Sequence, residues 1–115
     1  MIRKSILASA LLLFISVSYS TIINVPGQQA TIQAGINASA NGDTVLVEPG
    51  TYMENINFRG KRIVLTSRYY INSDPALIVN TVINGSTPVN PDTASCVIFN
   101  TAEDSTTILQ GFTIT

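Results

Sequence analysis

Thr81-Val82-Ile83-Asn84-Gly85 returns 26 residues later as Thr107-Ile108-Leu109-Gln110-Gly111. Apolar falls on apolar, amide on amide and glycine on glycine. A short β-branched run that recurs about every two dozen residues is the mark of a solenoid, in which each repeat is one rung that buries its apolar face only by stacking on neighbours. Short strands separated by turns could also form an antiparallel sandwich. Three observations favour the solenoid. No Asn-Gly or Asp-Gly pair joins two strands as a hairpin, the echo sets equivalent strands one rung apart, and the only helical pattern lies at the start, where a solenoid needs a cap.

That helical pattern begins at Thr31, a good N-cap. Ile32 and Ile36 lie four apart on one face, with Ala40 continuing it, and Asn41-Gly42 is expected to end the helix with Gly42 in the left-handed position. Gly35 weakens this helix by about 1 kcal/mol relative to alanine. After Asp43 the chain reads as strands and turns: residues 44–47, 63–66, 81–85, 96–99 and 106–115, with Pro49-Gly50 as the centre of a type II turn. In the segment 52–58, Ile56 and Phe58 share one face while Asn55 and Asn57 share the other. Residues 67–80 read as a looser stretch, with Asp74-Pro75 as a turn. Ile32, Ile36, Val45, Val47, Ile56, Ile63 and Leu65 are the expected interior.

Residues 1–20 form a secretory signal peptide by pattern. Arg3 and Lys4 make a positive start, residues 6–17 are an apolar stretch, and Ser18-Tyr19-Ser20 puts small residues where a signal peptidase reads. The stretch is shorter than the roughly 20 apolar residues of a membrane span, so cleavage after Ser20, secretion and no stable membrane anchor are expected. Residues 21–115 form one domain with four basic and seven acidic side chains, a net charge of −3. This excludes the basic stripe that nucleic acid would need. A single cysteine, Cys96, cannot form an internal disulfide. With no histidine in the chain to activate it, Cys96 reads as a small buried hydrophobe rather than a nucleophile.

Three stretches carry a family resemblance. Thr31-Ile32-Gln33-Ala34-Gly35-Ile36, then Gly42-Asp43-Thr44-Val45-Leu46-Val47, then Pro49-Gly50-Thr51-Tyr52-Met53-Glu54-Asn55-Ile56 resemble the opening of secreted proteins of the pectin lyase-like superfamily, including pectinesterases. Leu109-Gln110-Gly111-Phe112-Thr113-Ile114 is similar to a later rung of the same proteins. The resemblance implies an all-β fold: a right-handed parallel β-helix (solenoid) with a short N-terminal capping helix, incomplete at its C-terminus. Residues 21–115 would be the N-terminal part of that domain.

In enzymes of that superfamily the catalytic acids and bases and the calcium ligands lie on deeper rungs, and no position here matches their motifs. No catalytic residue, cofactor or metal site is therefore expected, with calcium confined to rungs this stretch lacks. Glu103-Asp104, the only adjacent acidic pair, reads as a solvated turn, and Glu54 as part of the fold motif. The sequons at Asn37 and Asn84 read as incidental. The candidate contact is a cationic and aromatic group, Arg59, Lys61, Arg62, Arg68, Tyr69 and Tyr70, suited to an acidic polysaccharide because guanidinium groups pair with carboxylates and aromatic faces suit sugar rings. Three functions remain open: a non-catalytic surface or carbohydrate-associated module, the front end of a polysaccharide lyase or pectinesterase-like enzyme, and a truncated product without activity. An apolar final rung with an open edge would also favour self-association.

Overall fold

The computed structural model of this protein describes residues 19–115. The signal-peptide assignment therefore lies outside the described residues up to position 18. Along the chain run β1 (Ile22–Val25), α1 (Ile32–Ala38), β2 (Thr44–Val47), β3 (Gly50–Met53), β4 (Ile56–Asn57), β5 (Val64–Ser67), α2 (Tyr69–Asn72), α3 (Pro75–Asn80), β6 (Thr81–Asn84), β7 (Val97–Ile98), β8 (Ile108–Gln110) and β9 (Thr113–Ile114). The strands join in three sheets, ordered β1-β2-β5-β8, β3-β6-β9 and β4-β7, and every pairing is parallel.

This corrects the expected fold class. The described residues form a small α/β domain with three helices beside parallel sheets, not an all-β parallel β-helix with one capping helix, and among them there is no solenoid repeat. The 26-residue echo falls on two different sheets: its first copy is β6, paired with β3, and its second is β8, paired with β5. Asn84 thus sits opposite Met53 and Gln110 opposite Thr66, so no amide ladder forms between them. The spacing between paired strands is not constant either, with Val45 facing Leu65 and Leu65 facing Leu109.

The two unexpected helices have local causes. Asp74 accepts a hydrogen bond from the Ala76 N–H at 2.9 Å, and Pro75 occupies the first turn. An Asp-Pro pair that reads as a turn is also a helix start, because proline needs no donor there. α2 is closed by Ser73 in the left-handed conformation, φ 55°. α1 begins as expected, with Thr31 Oγ1 accepting from Ala34 N–H at 3.1 Å. It ends earlier than expected, at Ser39, whose backbone N–H and hydroxyl both donate to the Ile36 carbonyl. Gly42, at φ 94°, serves the turn beyond, and Ala40 is exposed.

The core gathers Val25, Ile32, Ile36, Val45, Val47, Ile56, Phe58, Ile63, Leu65 and Ile83, with Tyr52, Cys96, Val97, Leu109 and Phe112 partly buried against it. Ile23, Val45, Leu65 and Leu109 stand in register across the four-stranded sheet, about 4.8 Å apart. β8 and β9 are the last strands of their sheets, with Ile108 and Ile114 exposed.

α1 lies so close to β1 and β2 that a Cβ on Gly35 would come within 2.9 Å of Val45 Cγ1 and 3.0 Å of Val25 Cγ2. Both valines are fully buried and β-branched, so neither can swing aside. Gly35→Ala is therefore expected to lower stability by about 1–2 kcal/mol despite its better helix propensity, because overpacking outweighs the propensity gain. A denaturant midpoint equal to or above that of the wild type would contradict this contact.

The polar side chains of Gln33 on α1 and Glu54 before β4 complete the frame. Both oxygens of Glu54 accept hydrogen bonds from the α1 N-terminus, from Ile32 N–H at 2.9 Å and Gln33 N–H at 3.0 Å. Ile56 in β4 and Phe58 just beyond it donate to the Cys96 and Ile98 carbonyls on the β7 side. Asn57 points its backbone the other way, and the Gln33 amide meets it twice: Asn57 N–H donates to Oε1 at 2.8 Å, and Nε2 donates to the Asn57 carbonyl at 3.0 Å.

Candidate functional site

Alternation along residues 55–59 sends Ile56 and Phe58 into the core and leaves Asn55, Asn57 and Arg59 outside. These outward residues form one wall of a groove of about 420 Å³. Gln33 and Glu54 lie along it, Thr87, Val89 and Asn90 contribute from the loop after β6, and Met53 and Ile98 add apolar surface. Asn55 ties that loop to the wall, its Nδ2 donating to the carbonyls of Gly85, Ala94 and Ser95 at 3.0–3.2 Å. Gly85 permits this approach, since a Cβ there would sit 2.9 Å from both Asn55 Nδ2 and Cys96 Cα.

Most polar groups of the groove hold the groove itself. Gln33, Glu54 and Asn55 are committed to backbone partners, and Asn57 Oδ1 accepts from Arg59 N–H at 2.8 Å. The Arg59 guanidinium differs. Its residue is exposed, and the side chain makes no hydrogen bond or ion pair among the described residues. It sits on a turn with two successive positive φ angles, 54° at Arg59 and 77° at Gly60.

The structure does not gather the other expected contact residues around Arg59. Lys61 Nζ donates to the carbonyls of Ile36 at 2.8 Å, Asn37 at 2.7 Å and Ser39. Its ammonium thus joins the carbonyls at the C-terminal end of α1, where a positive charge is favoured. Arg62 Nη1 lies 3.6 Å from Asp104 Oδ2, both side chains about half exposed, beside a second cleft of about 450 Å³ that Asn41, Ile63 and Thr106 also line. Arg68 grips Glu48 with two bonds, Nε to Oε2 at 2.6 Å and Nη2 to Oε1 at 2.7 Å. That hydrogen bonding, with the guanidinium charge, holds the Glu48 carboxyl below the usual range against a weaker push from burial. Arg62 and Arg68 flank β5 at opposite ends, about 20 Å of extended backbone apart. Tyr69 is half-buried and Tyr70 exposed, both on α2.

No protein-family model, curated protein or solved structure matches this chain.

The groove's makers were only partly visible beforehand. Asn55 and Asn57 were placed on the outer face, but their partners lie far along the chain. Glu103, expected as a solvated turn residue, accepts from Gly60 N–H at 2.8 Å and Thr101 N–H at 2.7 Å. Burial pushes its carboxyl up, but hydrogen bonds from Gly60, Thr101 and its own backbone outweigh this and leave it lowered. A usable sequence signal was Asn57-Phe58-Arg59-Gly60, an asparagine two residues before a residue-glycine turn. Cys96 packs against the core, with Sγ 3.6 Å from the Ile83 carbonyl, and burial raises its thiol against a hydrogen bond with Gly85.

Three further carboxylates are likewise engaged in the fold. Asp43 accepts from Thr21 and Ala40 N–H groups, Asp74 caps α3, and Asp104 takes the Thr106 N–H and hydroxyl. Among the described residues, no three His, Cys, Asp or Glu side chains come together as a metal-binding group. No described helix is long and apolar enough to cross a membrane.

Proposed function

We propose that this chain is a secreted, non-catalytic carbohydrate-associated module that holds acidic, uronate-bearing polysaccharide in the groove beside Arg59. The observation that carries this reading is the Arg59 guanidinium, exposed at a built groove and without a partner among the described residues, while Lys61, Arg62 and Arg68 have theirs. A uronate carboxylate would pair with it by a charge-assisted, two-pronged hydrogen bond. Met53 and Val89, both exposed, offer apolar surface to the C–H face of a sugar ring. The structural commitments of Glu48, Glu54, Asp43 and Glu103 favour binding over hydrolysis, since glycoside hydrolysis needs two carboxyl groups free to flank one bond. The reading requires no cofactor.

Affinity electrophoresis through gels containing polygalacturonate tests it, with hydroxyethyl cellulose as the neutral comparison. Wild type is expected to be retarded by the acidic polymer only, and less so as salt rises. Arg59→Ala should raise the apparent Kd at least about tenfold, whereas Arg62→Ala and Arg68→Ala should shift it little. Equal retardation of wild type and Arg59→Ala, or equal retardation in both polymers, would sink the proposal.

A further inference from the structure

The Arg59-Gly60 turn is the most strained described segment that borders a cavity. Residues with a side chain rarely adopt positive φ, and a long one gains nothing locally from it. Something must hold Arg59 there. Asn57 Oδ1 takes its N–H from one side, and Lys61 N–H closes the turn on the Phe58 carbonyl at 3.0 Å. The remaining support comes from 43 residues away, where Glu103 Oε2 takes the Gly60 N–H and Oε1 takes the Thr101 N–H. One carboxylate thus ties two turns together. Gly60 packs against this second turn so closely that a Cβ on it would sit 3.3 Å from Ala102 N.

The arrangement also explains why Arg59 is not neutralised by its nearest structural support. Each Glu103 oxygen is occupied by a backbone donor, and the Arg59 guanidinium makes no bond to it. We propose that Glu103 is a positioning residue: it holds the Arg59-Gly60 turn in its left-handed conformation and so keeps the guanidinium over the groove, without touching ligand. This inference rests on the reading of the groove as an acidic-polysaccharide site. Without Glu103, the turn can relax into the ordinary backbone basins, and Arg59 swings away from the groove wall.

Binding to polygalacturonate by the full chain tests this in a double-mutant cycle. Glu103→Ala should weaken retardation about tenfold in the wild-type background and not at all in the Arg59→Ala background, because both changes remove the same contact. Glu103→Gln keeps one acceptor oxygen and should fall between wild type and alanine, a rescue that a ligand contact through charge would not give. Additive losses in the double variant, or full affinity in Glu103→Ala, would overturn the assignment. NMR separates this inference from the functional reading. In Glu103→Ala the Gly60 amide proton should lose its hydrogen-bond shift, and the Arg59 HN–Hα coupling should change as φ leaves the left-handed region. If wild type fails to bind polygalacturonate, the functional reading falls, and these two signals still judge the positioning role. If both stay unchanged in Glu103→Ala, the positioning role falls even where binding stands.

Discussion

Truncating Phe58 to alanine is expected to remove about 3–5 kcal/mol of folding stability. Phe58 heads the fully buried side chains by volume, and its ring lies 4.4 Å from that of Phe99, tilted by 32°. It closes the end of the core where β4 runs into the Arg59 turn, so its removal leaves a cavity among the buried side chains of the core. A domain of this size has only about 5–15 kcal/mol in total. The variant should therefore lose most of its cooperative transition in urea, while Phe58→Leu, which keeps four side-chain carbons, should lose far less. An unfolding free energy within about 1 kcal/mol of wild type for Phe58→Ala would show that the core is open at this end.

The second large effect is expected at Asn55, from a change that alters almost no volume. Its amide donates to three carbonyls, those of Gly85, Ala94 and Ser95. Asn55→Asp replaces donors by an acceptor carrying negative charge, facing three carbonyl oxygens. The cost at neutral pH should be about 3 kcal/mol, the sum of lost bonds and an uncompensated charge. The sign with pH follows. The folded protein disfavours the ionised aspartate, so the folded-state pKa of the new group lies above its unfolded value of about 3.9. Below the unfolded value the protonated carboxyl can donate once and the variant regains stability relative to wild type. It loses that stability as pH rises through the folded value. Urea midpoints of variant and wild type that keep a constant difference from pH 3 to pH 7 would refute this account.

These two residues also mark what the sequence made legible. Alternation from 55 to 58 predicts that Ile56 and Phe58 point inward and that Asn55 and Asn57 point outward, and this is how they lie. The Thr31 cap and the expected interior residues Ile32, Ile36, Val45, Val47, Ile63 and Leu65 are likewise in place. Local pattern carries that information because burial repeats every two residues in a strand and every three to four in a helix. It carries no information about which strand pairs with which. The echo between residues 81–85 and 107–111 reports two strands with the same inside and outside, and says nothing about shared membership of a sheet. Helices α2 and α3 were missed for a different reason: Asp74-Pro75 suits a turn and a helix start equally well, and the apolar residues that follow, Leu77, Ile78 and Val79, show no clean helical spacing.

The candidate site was legible only by residue type. Four cations crowd into residues 59–68, and three of them find a partner about 20 or more positions away in sequence. Lys61 goes to the end of α1, Arg68 to Glu48, Arg62 to Asp104, and among the described residues Arg59 is left over. Composition can show that positive charge exceeds what one ligand needs. It cannot show which charge the fold has already used.

The Gln33 amide, which meets both backbone groups of Asn57, has a consequence for survival in a crowded milieu. A bare strand edge invites any partly unfolded chain to add itself there. At β4 the invitation has been answered from within the molecule, by a side chain rooted on a neighbouring helix whose effective concentration, on the order of millimolar or more, no passing chain can match. An intruder would have to break two bonds before making any. The outer margin of the shortest sheet is thereby shielded from mispairing without a charge or a proline at the strand, by one neutral residue imitating the strand that is not there.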